Sequence, residues 1–224
     1  MRLFVEKLAS GEVIVGSDEH HYVSRVRRAR VGDAVELVDG AGHRASATIE
    51  RIGESETVLR AGAVEAIVEP EPHVRVLVPL IKGDRMDSCL EKLVEVGADD
   101  IVVWPAARSV VKLDDARRDT RIAHYQAIAQ AAARQSGRAR VPGVSYAPFA
   151  HAIANVSCGV VLDPGADRAA FPDAGEITII SGPEGGLAPE EQGALAGWTR
   201  IGLGPNVLRA DTAPVVAVAL LRAR

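Results

Sequence analysis

The sequence has little cysteine and no long apolar run, and both shortages exclude classes of protein. Only Cys89 and Cys158 occur among the 224 residues, too few for a disulfide scaffold or a tetrahedral zinc site. No apolar run approaches the roughly 18 residues of a membrane helix. Arg2 precedes any long apolar segment, which argues against a secretory signal. We therefore expect a cytoplasmic protein with no membrane association and no metal site.

The sequence also lacks a strong net charge, although the charge is unevenly distributed. A formal net charge of −4 argues against a uniformly basic nucleic-acid binder. Residues 20–30 nevertheless contain four arginines and no acidic residue, and residues 117–140 contain six arginines and one aspartate. Such runs often form solvated helix faces. They also suit basic patches that bind RNA, and composition alone leaves both interpretations open.

The first seventy residues predict short strands separated by turns. Glycine-containing turn pairs recur along this part of the chain. Apolar residues alternate on both sides of a turn at 39–43, which predicts a β-hairpin within a small β-barrel. Pro70 and Pro72 would break a helix, so residues 65–71 are the predicted linker.

After residue 74 the pattern changes to alternating strands and helices, which predicts a parallel sheet covered by helices. Strands are predicted at 74–80, 101–104, 159–163 and 177–181. Helical spacing of apolar residues predicts an amphipathic helix capped near Asp84, and a long helix is predicted at 114–136. Thr212 is the predicted cap of a last helix that carries Pro214 in its first turn.

Two glycine- and proline-containing loops near the C-terminus are the most informative features of the chain. Residues 179–187 read IISGPEGGL, and residues 201–213 read IGLGPNVLRADTA. Neither loop matches G-x-G-x-x-G after a strand or G-x-x-x-x-G-K-[ST], so the two commonest nucleotide-binding fingerprints are absent. Glycines let main-chain groups approach a ligand closely, and two such loops in succession predict one pocket. Each glycine taken singly is better explained by a turn.

The two loops together resemble the SPOUT methyltransferases, specifically the RsmE type that methylates N3 of a uracil in 16S ribosomal RNA. The resemblance covers nearly the whole chain. It includes a basic signature at 20–33 and shorter runs at 82–87, 91–97 and 133–138. Val26, Asp211 and Pro214 depart from the residues that are common in the family, and none of the three is a predicted ligand.

The resemblance implies two domains, an N-terminal PUA-like RNA-binding β-barrel at 1–68 and an α/β methyltransferase domain at 74–224. In the family the second domain threads through itself to form a trefoil knot that binds S-adenosylmethionine. The resemblance also implies a homodimer whose subunits complete each other's sites. The implied substrate is 16S ribosomal RNA in the small ribosomal subunit.

Within the two loops, the expected cofactor site combines apolar walls with backbone made accessible by glycine. Its predicted residues are Leu162, Gly182, Pro183, Glu184, Gly185, Gly186, Leu203, Gly204, Pro205, Val207, Leu208 and Thr212.

Arg209 and Glu184 are the predicted catalytic residues. Removing the N3 proton of uracil spreads negative charge onto the flanking carbonyl oxygens, and a fixed guanidinium near one of them would stabilise that anion. The alternative for Arg209 is a structural ion pair with Asp211 or with a neighbouring subunit. Glu184 could accept a proton, bind a ribose hydroxyl or simply face water. No histidine is an obvious general base.

Six basic residues are the predicted RNA contacts. The arginines near residue 25 alternate with apolar residues, so that some could share a strand face and follow a phosphate backbone. Two more precede the helix near Asp84. The set is Arg25, Arg27, Arg28, Arg30, Lys82 and Arg85.

Two other functions fit the sequence. One is a related methyltransferase that acts on another base or on transfer RNA, which the product nucleoside would identify. The other is an RNA-binding or ribosome assembly factor without turnover, which would bind the cofactor without transferring its methyl group.

Overall fold

The computed structural model describes residues 1–109, 111 and 114–223, with the side chain of residue 115 left out. Residue 224, where the second predicted domain ends, lies outside the described residues. The chain divides into two compact units. The first comprises Met1–Glu69 and Ala133–Val141, and the second comprises Pro70–Ala132 and the chain from Pro142 onward.

The first unit is built on one six-stranded sheet. Its strands are β1 (Arg2–Phe4), β2 (Gly11–Gly16), β3 (Ala34–Val38), β4 (His43–Ile52), β5 (Glu56–Ala61) and β6 (Glu65–Ala66). The order is β1-β3-β4-β5-β2, and β6 pairs with β4. The predicted hairpin is confirmed, because β3 and β4 are antiparallel with Leu37 opposite Ala45. Both side chains are buried in the core of this unit, as period-2 alternation requires.

The basic segment near residue 25 forms no strand, because it is helical through Val26 and irregular at 27–30. The prediction of a shared strand face is therefore wrong. Helix α1 (Ser17–His21) runs directly into a π-helical turn at Tyr22–Val26. Val23 is the only residue of that turn buried in the core, whereas Val26 stays 58% exposed. One helical turn is enough to bury a single side chain, whereas a strand would bury every second side chain along its length. Arg25, Arg27, Arg28 and Arg30 are all exposed.

The second unit contains a six-stranded sheet in which every pairing is parallel. In chain order its elements are β7 (His73–Pro79), α2 (Asp84–Glu95), β8 (Asp100–Trp104), α3 (Asp115–Ser136), β9 (Gly143–Tyr146), α4 (Phe149–Ala152), β10 (Gly159–Leu162), β11 (Glu176–Ser181), α5 (Pro189–Ala194), β12 (Thr199–Ile201) and α6 (Ala213–Arg222). The last four residues of α3 belong to the first unit. The strand order is β12-β10-β11-β7-β8-β9. The predicted parallel α/β sheet is confirmed.

Helix ends in the second unit depend more on backbone conformation than on capping side chains. Gly83, with φ of 67°, is the N-cap of α2, so Asp84 begins the helix and does not cap it. Thr212 holds the N-cap position of α6, but its side chain makes no capping hydrogen bond. Its hydroxyl donates to Asp211 Oδ1 at 3.3 Å. Pro214 lies in the first turn of α6 as predicted, where its missing N–H costs nothing.

The C-terminal end of α6 is tied to the start of β7 and β8 by Arg222. Its guanidinium donates to the carbonyl oxygens of Pro70, Pro72 and Gly97 at 2.7–3.0 Å. It also pairs with the buried carboxylate of Asp99, which accepts the Val74 amide at 2.8 Å. A buried carboxylate needs such partners because desolvation alone would destabilise its charge. These bonds fix the C-terminal end of α6, and the N-terminal end of the same helix lies at the candidate site.

Candidate active site

A cavity of about 590 Å³ lies at the carboxyl ends of β10 and β11. Ligands of open α/β sheets characteristically bind outside the carboxyl ends of the strands. Its walls come from the strand ends, from both predicted loops and from the start of α6. The lining residues are Val161, Leu162, Asp163, Pro164, Ser181, Gly182, Pro183, Glu184, Gly186, Leu187, Gln192, Arg200, Val207, Leu208, Arg209, Ala210 and Ala213.

A second, much smaller cavity of about 30 Å³ shares part of this wall. Leu162, Asp163, Leu208 and Ala213 line both spaces. The small cavity is otherwise mostly apolar, and it brings in Leu203 and Gly204 from the second loop. The two loops therefore meet at one site, as their succession in the sequence predicts.

The structure brings most of the predicted cofactor residues together around these two cavities. Three predicted residues line neither cavity: Gly185, Pro205 and Thr212. The carbonyl oxygen of Gly185 accepts a hydrogen bond from Arg108 Nη1 at 3.1 Å. Gly185 also packs against that arginine, since a Cβ placed on it would lie 3.2 Å from Arg108 Cβ.

The first loop requires glycine at two positions for different reasons. Gly186 has φ of 70°, a conformation that strains residues with a side chain. Its amide donates to the carbonyl oxygen of Pro183 at 2.8 Å and closes a turn. At Gly182 a Cβ would lie 3.2 Å from the Leu187 amide nitrogen, closer than ordinary van der Waals contact. The loop thus folds back tightly on itself beside the cavity.

The buried carboxylate of Glu191 in α5 anchors the far side of this loop. Its Oε2 accepts the Ala188 amide at 2.7 Å, and its Oε1 accepts the Ala107 amide at 2.8 Å. A carboxylate that accepts backbone N–H groups near a helix N-terminus satisfies donors that the helix itself cannot. Glu191 therefore joins the segment after β8 to the end of the glycine loop.

The two predicted catalytic residues both line the larger cavity but differ in their partners. Glu184 forms an ion pair with Arg85 at 3.1 Å, which places a predicted RNA contact beside a predicted catalytic carboxylate. Arg209 is exposed at the cavity wall. It makes no ion pair or side-chain hydrogen bond with any residue that the structure describes, and the alternative pairing with Asp211 is not observed there. Its guanidinium is available to a ligand.

An ion pair that the sequence analysis missed lies on the same wall. Arg200 Nη1 donates to Asp163 Oδ2 at 2.9 Å, and both residues line the cavity. The hydrogen bond from the Gly165 amide, together with Arg200, holds the pKa of the Asp163 carboxyl below its usual range. Asp163 directly follows a buried strand, a position that could have marked it. Arg200 carries no comparable sequence signal.

Ser181, at the end of β11, is a further residue that sequence reasoning missed. Its side chain is 2% exposed and lines the cavity, yet its hydroxyl has no hydrogen-bond partner among the described residues. Buried hydroxyls are nearly always paired, because leaving one unpaired costs roughly 1–3 kcal/mol. An unpaired hydroxyl at a cavity wall suggests that a ligand supplies its partner.

Two kinds of feature are absent from the described residues. Nowhere in them do three or more histidine, cysteine, aspartate or glutamate side chains come together as metal ligands. In the same part of the chain, no helix is both long enough and apolar enough to cross a membrane.

Comparison with protein families gives two matches. A family model described as an RNA methyltransferase domain matches residues 69–222, and one described as an RNA methyltransferase PUA domain matches residues 15–60. The first covers the whole region that forms the cavity. The boundary between the two matches falls close to the predicted linker.

Individual relatives agree with the family models. The chain is 36% identical to ribosomal RNA small subunit methyltransferase E of Mycobacterium bovis, covering 92% of this chain and 84% of the relative. It is 29% identical to the Bacillus subtilis protein of the same name, covering 93% and 88%. Among solved structures, the Neisseria gonorrhoeae protein of that name, bound to S-adenosyl methionine, superposes with a TM-score of 0.87. It is 26% identical, with 99% of this chain and 96% of that chain covered.

Proposed function

Since the chain belongs to the ribosomal RNA small subunit methyltransferase E family, we propose that it methylates N3 of a uridine in 16S ribosomal RNA. The methyl donor is S-adenosylmethionine. The observation that carries the proposal is the cavity where both predicted loops meet, within the region that the RNA methyltransferase model matches.

The residues around the cavity fit an adenosyl cofactor. Its volume of about 590 Å³ falls within the roughly 300–1,000 Å³ of small-molecule sites. Leu162, Leu203 and Leu208 supply apolar walls for the base, and the unpaired Ser181 hydroxyl offers one polar contact. When bound, the cofactor supplies an electrophilic methyl group on its sulfonium sulfur.

Arg209 supplies the electrostatic part of the chemistry. Uracil must lose its N3 proton to attack a methyl group, and the resulting charge spreads over two carbonyl oxygens. A guanidinium at the cavity wall, with no competing partner among the residues that the structure describes, stabilises that charge as it develops. Glu184, the second catalytic residue of the proposal, presents a carboxylate to the same space, where it accepts a proton.

RNA binding is assigned to the exposed basic residues and to the first domain. In this proposal residues 1–68 form the PUA-like RNA-binding domain, and residues 74–224 form the methyltransferase domain with its knot. Arg25, Arg27, Arg28 and Arg30 are exposed, as phosphate contacts must be. Lys82 is also exposed, and Arg85 is held beside the cavity by Glu184. A cytoplasmic homodimer completes the proposal.

The test is transfer of labelled methyl from S-adenosylmethionine to 30S subunits and to stripped 16S RNA, followed by nucleoside analysis. We expect 3-methyluridine. Label on another nucleoside would contradict the proposed target base but would still show methyltransferase activity. Cofactor binding without label on either RNA would favour the non-catalytic RNA-binding factor.

Replacing Ser181 with alanine should weaken cofactor binding without weakening the fold. Because no described residue pairs with the hydroxyl, the free energy of unfolding without cofactor should stay the same or rise by up to about 1 kcal/mol. Loss of one hydrogen bond to the cofactor should lower its affinity about fivefold. Calorimetric titration with S-adenosylhomocysteine and urea denaturation measure the two effects. The exposed Ser145 on β9, changed to alanine, is the control, and unchanged affinity in Ser181→Ala would contradict the assignment.

A further inference from the structure

Asp163 occupies a distinctive place in the second unit, because it lies where the apolar and polar parts of the site meet. It follows Leu162, the last residue of β10, and lines both the small apolar cavity and the larger one. Leucine, isoleucine and alanine side chains dominate the small cavity, whereas the larger one carries Glu184, Arg200 and Arg209. A ligand with an apolar base and a polar remainder would place the junction between these two parts near this carboxylate.

The carboxylate of Asp163 is held in place before any ligand arrives. The Asp163 amide donates to the carbonyl oxygen of Ile201 at 3.1 Å, which fixes its backbone to β12. The Gly165 amide donates to Oδ1 and Arg200 Nη1 donates to Oδ2, each at 2.9 Å. Each carboxylate oxygen thus accepts one hydrogen bond, and the side chain cannot rotate freely.

These bonds leave lone pairs on the carboxylate oxygens that can accept hydrogen bonds from a ligand. An ionised carboxylate has about four lone-pair sites and no proton to donate, and two of those sites are taken by Gly165 and Arg200. The lowered pKa of the Asp163 carboxyl keeps it ionised near neutral pH. Its side chain remains 31% exposed beside the cavity. The group therefore selects a ligand that offers hydrogen-bond donors.

On the premise that the cavity holds the proposed adenosyl cofactor, we infer that the Asp163 carboxylate recognises the ribose hydroxyl groups and that Arg200 positions it. The cofactor offers two strong donor groups beyond its base, the ribose diol and the ammonium group of the amino-acid end. The ribose that carries the diol is bonded directly to the base, whereas the ammonium group lies at the far end of the cofactor. Asp163 likewise directly follows Leu162 of the apolar wall. Carboxylates recognise ribose hydroxyls in the same way in dinucleotide-binding folds.

Calorimetric binding of three kinds of ligand tests this assignment without using turnover. The ligands are S-adenosylhomocysteine, its 2′-deoxy and 3′-deoxy analogues, and 5′-methylthioadenosine, which keeps the ribose and lacks the amino-acid end. In the unmodified protein, loss of a bound hydroxyl should lower affinity at least tenfold, as expected for a hydrogen bond to a charged group. In Asp163→Ala, the ribose and deoxyribose ligands should bind within about threefold of each other.

Two further variants make the result specific. Asp163→Asn keeps the shape of the side chain, so a folded protein with reduced ribose discrimination would exclude misfolding as the cause. Asp167→Ala removes a nearby exposed carboxylate that lines neither cavity and should bind every ligand as the unmodified protein does.

Each contrary outcome has its own meaning. Equal weakening of every ligand by Asp163→Ala would show a structural role and overturn the inference. Weakening confined to S-adenosylhomocysteine and its deoxy analogues, with 5′-methylthioadenosine unaffected, would assign the carboxylate to the ammonium group and also overturn it. Failure of the unmodified protein to bind any adenosyl ligand would refute the proposed cofactor itself, and the inference with it.

Discussion

Arg209→Ala should lose methyl transfer by about 10²- to 10³-fold in kcat while binding S-adenosylhomocysteine within about threefold of the unmodified protein. This is the loss that follows removal of one preorganised donor from an anion-stabilising site. The guanidinium lies at the cavity wall with no protein partner among the described residues, so its removal leaves no buried charge behind. Single-turnover methylation of 30S subunits gives the rate, and calorimetry gives the affinity.

Two companion variants separate charge from geometry. Arg209→Lys keeps the positive charge but loses the planar fork of donors, so its rate should fall between those of the unmodified protein and the alanine variant. Arg168→Ala removes an exposed arginine outside the larger cavity and should leave the rate unchanged. Near-normal turnover in Arg209→Ala would rule out anion stabilisation by this residue. Weak binding and normal turnover at saturation would make it a binding residue.

The sequence predicted the elements of the second unit well because its strands are buried on both faces. Continuous apolar runs become β7, β8, β10 and β11, which are all parallel. Neither the strand order nor the short edge strands β9 and β12 could be predicted, because edge strands carry few core residues. Pairing across the sheet depends on contacts between distant segments, which local periodicity does not record.

The basic segment near residue 25 shows how an alternating pattern can predict the wrong backbone conformation. Arginine alternating with apolar residues resembles a strand, yet only Val23 of its helical turn enters the core. Tyr22 and Ser24 beside it are half-buried, and Arg25 and Val26 are exposed. This pattern fits a helical turn and not the alternation of a strand.

At the site, the sequence indicated the backbone-lined parts and the side chains of Glu184 and Arg209, but it missed the polar side chains of Asp163, Arg200 and Ser181. Gly182, Gly186 and Gly204 mark loops by their lack of a Cβ, and they line the cavities as expected. Asp163 and Arg200 become partners only because β10 and β12 are neighbours, although they are 37 residues apart in sequence. An unpaired hydroxyl such as that of Ser181 is visible only once its surroundings are known.

Gly182→Val should lower the affinity for S-adenosylhomocysteine by about 100-fold or more, equivalent to about 2.7 kcal/mol. A Cβ alone would lie 3.2 Å from the Leu187 amide nitrogen and 3.3 Å from Leu187 Cγ. Valine adds two methyl groups to that crowded position, and overpacking of this kind typically costs 1–3 kcal/mol. The loop must then open or move, and Gly182 lines the cavity, so either response changes the cofactor site. Calorimetric titration measures the affinity.

The smaller substitution and a matched glycine decide whether loop geometry is the cause. Gly182→Ala adds only the Cβ, and its contacts of 3.2–3.4 Å require shifts of a few tenths of an ångström, so its loss of affinity should be clearly smaller. Gly193→Ala lies in α5, where a Cβ meets nothing within 4 Å, and should bind normally with equal or greater stability. If Gly182→Val lowers the free energy of unfolding of the whole protein, its loss of affinity would be attributed to misfolding. The effect of loop geometry would then be judged from Gly182→Ala. Affinity unchanged in both Gly182 variants would mean that this loop does not shape the cofactor site.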